Sequence, residues 1–102
     1  MAEATGPGTW TFMTNHAHVL LCIYQNPDVR LRDIASMVGI TERAAQSIVA
    51  DLEDEGYLRR ERIGRRNRYD LMPEVPLRHP LESHHNVGEL LRLLAKPGKV
   101  KR

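Results

Sequence analysis

A chain of 102 residues with 41% hydrophobic residues and a formal net charge of +2 bounds one small domain, with roughly a third or more of its unfolded surface still wet after folding. Its single cysteine excludes an internal disulfide, and no apolar run approaches the ~18 residues of a membrane helix. With no secretory hydrophobic core near the N-terminus, the expected compartment is the cytoplasm. No nucleophile stands near a base, and there is no Gly-rich phosphate loop or catalytic carboxylate pair, so neither an enzyme nor a cofactor is expected.

In chain order, residues 1–9 are small, polar and broken by Gly6-Pro7-Gly8, which predicts a mobile tail. Trp10, Phe12 and Met13 are large apolar residues expected to dock on this chain's core or on a second subunit. Thr14 or Asn15 can cap a first helix whose apolar set, Ala17, Val19, Leu20, Leu21, Ile23 and Tyr24, is too broad for one stripe, so two faces should be covered. Cys22 lies within that set and reads as an inert core thiol. Asn26-Pro27-Asp28 stops the helix.

Leu31, Ile34, Ala35 and Val38 then repeat at helical spacing until Gly39, which can take the left-handed turn. Thr41 is a good N-cap and Glu42 suits the first turn of the next helix. Ala45, Ile48, Val49 and Leu52 make the buried face of that helix, so Glu42, Arg43, Gln46, Ser47 and Ala50 face outward or sideways. Arg pairs bidentately with guanine and Gln with adenine in the major groove. After Gly56, residues 57–63 and 68–72 alternate as two antiparallel strands, with Gly64-Arg65-Arg66-Asn67 between them. Arg59, Arg60, Arg62, Arg65, Arg66 and Arg68 crowd this hairpin against a single Glu61, a local basic patch of the kind nucleic acid requires.

Pro73, Pro76 and Pro80 predict an extended connector over 73–79 and a last helix from Pro80 to about Ala95. Its stripe of Val87, Leu90, Leu91 and Leu94, widened by Leu93, is the candidate dimer interface. Gly88 in mid-helix costs ~1 kcal/mol relative to alanine unless another backbone comes close. Residues 96–102 are basic and breaker-rich, and are expected to be disordered. His16, His18, His84 and His85 lack chelating geometry within each pair, and no Cys-x-Cys motif accompanies them, so no metal is expected.

The pattern Ile34, Ala35, Val38, Gly39, Ile40, Ala45 and Ile48 resembles the helix-turn-helix of bacterial repressors. With Gly56-Tyr57-Leu58, the two strands and the tip between them, residues 14 to 72 resemble a winged helix-turn-helix regulator of the MarR or ArsR type. The resemblance implies a mainly α fold with a small β-hairpin, in which 10–73 form the DNA-binding domain and 74–95 the connector and an additional C-terminal, dimerising helix. It also implies a homodimeric transcription regulator bound to double-stranded DNA. The helix starting at Thr41 would enter the major groove with Arg43, Gln46 and Ser47 nearest the bases. Arg60, Arg62, Arg65, Arg66, Asn67 and Arg68 would lie on phosphates or in the minor groove. A different reading of the same residues is a protein-interaction module whose arginine hairpin docks on an acidic protein without DNA. An effector pocket in so short a chain is expected only at a dimer interface.

Overall fold

The computed structural model describes residues 10–96, so the expected tails, Lys96 apart, lie outside the described residues. Helix α1 (Asn15–Gln25) starts where the Thr14 hydroxyl accepts the Ala17 N–H at 3.3 Å, which satisfies one of the orphan donors of a helix start. It buries Val19, Leu20, Ile23 and Tyr24 and lies against α2 (Leu31–Val38), α3 (Glu42–Asp54), β2 (Arg66–Leu71) and α4 (Val87–Leu94). Its broad apolar set is thus covered from more than one side. Cys22 is half-buried there, and burial pushes its thiol pKa up, away from the reactive thiolate. Trp10 and Phe12 do not dock on the protomer's core, being 67% and 88% exposed.

The α2–α3 corner follows from three small residues. Gly39 takes φ +87° and donates to the Ala35 carbonyl at 2.8 Å, and the Ile40 N–H donates to the same carbonyl at 3.0 Å, closing α2 as only a left-handed residue permits. Ala35 and Ala45, both buried, let the two helices cross closely. Thr41 then caps α3 by accepting the Ala44 N–H at 3.0 Å. Ala45, Ile48, Val49 and Leu52 all turn into the core.

Strand β1 (Leu58–Ile63) pairs antiparallel with β2, from Leu58 opposite Leu71 to Ile63 opposite Arg66. Pairing therefore runs nearer the tip than the sequence predicts. Arg66 and Asn67 are strand residues, and the turn is Gly64-Arg65 alone, with Gly64 at φ +63°. Leu58, Tyr69 and Leu71 bury their side chains while the outer half of the hairpin stands in solvent. The Tyr69 N–H donates to the Pro27 carbonyl at 3.1 Å, which ties β2 to the α1–α2 loop.

The last helix is shorter than the expected span from Pro80 to Ala95. Pro80 to His84 form turns, and α4 begins after Asn86. The reason is a capping box: Asn86 Oδ1 accepts the Glu89 N–H at 2.9 Å, and Glu89 Oε1 accepts the Asn86 N–H at 2.8 Å. That pair outweighs the proline as a start signal. The connector doubles back, with Pro76 bridged to Asn86, the Val87 N–H on the Val75 carbonyl at 2.9 Å and the Gly88 N–H on the Pro73 carbonyl at 2.9 Å. Val87 and Leu91 are 1% and 0% exposed, so half of the expected dimer stripe belongs to the protomer's own core, while Leu94 is 37% exposed and Leu93 80%. No helix among the described residues is long and apolar enough to cross a membrane.

The close backbone that Gly88 requires is Pro73: a Cβ at position 88 would meet Pro73 Cβ at 2.7 Å and its carbonyl oxygen at 3.0 Å. Gly88→Ala should therefore lower stability in urea denaturation by about 1–3 kcal/mol, although alanine favours a helix by about 1 kcal/mol. A more stable variant would show the contact to be soft. The Glu89 carboxyl titrates below the ordinary glutamate value of 4.5, chiefly because it accepts the Asn86 N–H and secondly because of His85. A carboxyl whose pKa is depressed by folding stabilises above its unfolded value and loses that contribution as pH falls through the native one. Glu89→Gln, which keeps an acceptor but cannot titrate, should shrink the difference in melting temperature between neutral and mildly acidic solution.

Candidate nucleic-acid interface

The α3 face opposite the core carries Glu42, Arg43, Gln46, Ser47 and Ala50, all exposed. The start of the helix adds a partial positive charge at that end. The exposed Thr41 hydroxyl accepts the Ala44 N–H as the cap, which leaves its own O–H free to donate.

The arginines of the hairpin divide into two groups. Arg60 reaches back to Glu53 on α3 with two contacts, Nη2 to Oε1 at 2.9 Å and Nε to Oε2 at 3.2 Å. The planar fork of Arg fits a carboxylate in this way, so Arg60, whose side chain stays 40% exposed, also ties the wing to the helix. Arg66 donates from Nη2 to the Asp28 carbonyl at 2.9 Å and braces the wing against the α1–α2 loop. Arg62 donates from Nε to the Gly64 carbonyl at 3.3 Å, inside the hairpin. Arg68 stands opposite Glu61 and Arg59 opposite Asp70 in the ladder. Asn67 is half-buried. Arg65, at the turn, is exposed and makes no hydrogen bond or ion pair among the described residues.

Beside the wing lies a groove of about 390 Å³ lined by Asp28, Arg30, Leu31, Arg65, Arg66 and Asn67. Arg30 occupies the N-cap of α2 and supplies no capping hydrogen bond, so the Leu31 and Arg32 amides keep their hydrogens for another acceptor. Arg30 is absent from the sequence-derived set. Its signal was a helix start with arginine where Ser, Thr or Asp would cap.

Opposite in sign is the far end of α3, where Asp51, Glu53, Asp54 and Glu55 sit at the negative end of the helix dipole. Three of them meet a basic side chain from a different element: Asp51 lies 2.8 Å from the His16 imidazole of α1, Glu53 pairs with Arg60 of β1, and Glu55 lies 3.7 Å from Arg78 of the connector. Next to this end the Tyr57 hydroxyl donates to the Pro76 carbonyl at 2.7 Å, and burial pushes its pKa up despite the attraction of Arg78 for the ionised form. Among the described residues no group of three or more His, Cys, Asp or Glu side chains is placed to hold a metal.

Residues 14–65, just over half of the chain, match the MarR family. The chain belongs to that family. Of the two types the sequence resembles, the match is to MarR, whose members are DNA-binding transcription regulators and not enzymes. The matched span covers α1, both helices of the helix-turn-helix, β1 and the turn, while β2 and α4 of this MarR protein lie beyond it. No curated protein and no solved structure matches the chain.

If the Glu53–Arg60 pair couples wing to helix, a double-mutant cycle with Glu53→Gln and Arg60→Gln should give a coupling of about 0.5–1 kcal/mol that weakens in high salt. Additive effects in urea unfolding would reduce the pair to a surface contact.

Proposed function

We propose that this MarR-family protein recognises a specific double-stranded DNA sequence with α3 in the major groove, where Arg43, Gln46 and Ser47 read base edges. The observation that carries the reading is the shared exposure of those three side chains on the free face of a capped helix whose opposite face is wholly in the core. In this reading Arg65, free at the turn, meets the backbone or the adjacent minor groove, with Arg62 and Arg68 beside it. Arg30 and the open amides of α2 take a phosphate on the other side of the groove. Arg60 and Arg66 act mainly by holding the wing in place. Asp51, Glu53, Asp54 and Glu55 fix polarity, since like charge keeps this end of α3 away from phosphate.

MarR regulators typically act as dimers, and we propose a homodimer here, in which the surface part of α4, Leu90, Leu93 and Leu94, contributes to the interface. A two-fold protein requires inverted half-sites whose centres lie about one helical turn, or a multiple, apart.

Base and phosphate contacts fail differently when removed. Arg43→Ala or Gln46→Ala should cost about 1–3 kcal/mol on a site selected from random duplex DNA and far less on unrelated duplex. Arg65→Ala or Arg30→Ala should weaken binding to both and reduce the slope of log affinity against log salt by about 1 per lost contact per subunit. If Arg65 instead enters a narrow minor groove, its loss is felt most on A·T-rich flanks. A protein that shifts no duplex at low salt, with all four variants indistinguishable from it, would make the hairpin a protein-docking surface.

A further inference from the structure

The solvent-facing half of the hairpin carries one large apolar side chain among its arginines. Counting from the buried Leu58, alternation puts Arg59, Glu61 and Ile63 of β1 on the opposite face, with Asp70, Arg68 and Arg66 of β2 across from them. The first two of these cross-strand pairs set opposite charges against each other. The third sets Ile63 against Arg66, whose Nη2 is drawn off to the Asp28 carbonyl at 2.9 Å. Ile63 is left 53% exposed at the end of β1, just before Gly64 turns the chain at φ +63°. It belongs neither to the core nor to the partly buried apolar residues packed against the core.

The neighbours of Ile63 select the surface it fits. Arg62 precedes it, with Nε held on the Gly64 carbonyl at 3.3 Å, and Arg65 follows at the turn, exposed and without a hydrogen bond or ion pair among the described residues. An apolar side chain between two cations matches apolar walls between two rows of negative charge. The minor groove of duplex DNA has that form, with sugar carbons on its sides and phosphates on its rims, and its width of about 6 Å admits a side chain but not a helix. A flat anionic surface offers the charge without the walls. The floor of the groove also differs between base pairs. A·T and T·A present acceptors alone, whereas G·C adds the guanine 2-amino group as a donor. Isoleucine has no side-chain acceptor, so covering that donor leaves a hydrogen bond unmade.

We infer that Ile63 is a specificity-determining residue: seated in the minor groove between Arg62 and Arg65, it disfavours G·C pairs beneath the wing tip. The inference rests on the DNA-binding reading above and goes beyond it by assigning flank selectivity to an apolar contact rather than to arginine charge. The division of labour is chemical. The Arg65 charge attracts any duplex, while Ile63 loses free energy only where an amino group meets it.

Inosine tests this, because an inosine·cytosine pair keeps the major-groove face of G·C and lacks the 2-amino group. With only the flanks of a selected site varied, gel shifts at one salt concentration should show A·T and inosine·cytosine flanks bound alike and G·C flanks bound about tenfold more weakly. Ile63→Thr keeps a β-branched residue in the strand and supplies a hydroxyl that accepts from the amino group. Its melting temperature should stay at the wild-type value while the ratio between flanks falls towards unity. Arg65→Ala should weaken binding to all three flanks and keep the ratio. A wild-type ratio of unity, or a ratio that survives Ile63→Thr and disappears in Arg65→Ala, overturns the inference and leaves the DNA-binding reading standing. A chain that shifts none of the three duplexes overturns both. Binding of that chain to phosphatidylglycerol vesicles, lost in Ile63→Thr, would then assign the wing tip to an anionic lipid surface.

Discussion

The close crossing of α2 and α3 is the constraint on which the rest of the molecule depends. It needs Ala35 and Ala45 at the contact and a left-handed Gly39 at the corner, because a larger side chain at either alanine would push the helices apart and alter the angle at which Arg43, Gln46 and Ser47 leave the surface. The other elements then support this corner. Helix α1 covers its inner side, the hairpin covers its end through Leu58, Tyr69 and Leu71, and Val87 and Leu91 of α4 close the core behind α1.

Electrostatics gives α3 a direction. Its N-terminal end has a capped start, a partial positive charge and arginine and glutamine outward, whereas its C-terminal end gathers four carboxylates where the dipole is already negative. Such an arrangement disfavours an isolated helix. Arginines from β1 and the connector and the His16 imidazole of α1 meet these carboxylates, so the charges that would fray the helix become attachments between elements. Each attachment is solvated and individually weak, yet together they tie three separate segments to the same turn of α3.

Much of the helix-turn-helix was legible because its signals are local. The 3.6-residue spacing of Ala45, Ile48, Val49 and Leu52, the Gly39 corner and the Thr41 cap depend on neighbours a few positions away, and all appear in the structure as read. The division of the arginines was not legible. Arg60 and Arg66 find partners 7 and 38 positions away, and a basic run looks the same whether its charges face phosphate or brace a fold. The start of α4 was misplaced for a different reason: Pro80 and Asn86 are both start signals, and the stronger lay in the reciprocal bonds of Asn86 and Glu89. Of the expected interface stripe, Val87 and Leu91 turn inward because the connector folds back beneath Gly88, a path that helical periodicity does not encode.

That inward turn gives α4 two roles. Helix α4 is anchored in the core by Val87 and Leu91, while Leu93 and Leu94 remain outside, so the element is both structural support and exposed surface. It helps to form a cleft of about 780 Å³ that has the last turn of α3 as its other wall. The end of α3 opposite Arg43, Gln46 and Ser47 therefore lines the cleft, through Leu52 and through carboxylates tied to α1 and the connector. A rigid helix of 13 residues is about 20 Å long, and a small tilt at one end displaces the other by a comparable amount in the opposite sense. A shift at the cleft end of α3 is therefore felt at Arg43, Gln46 and Ser47 near its start.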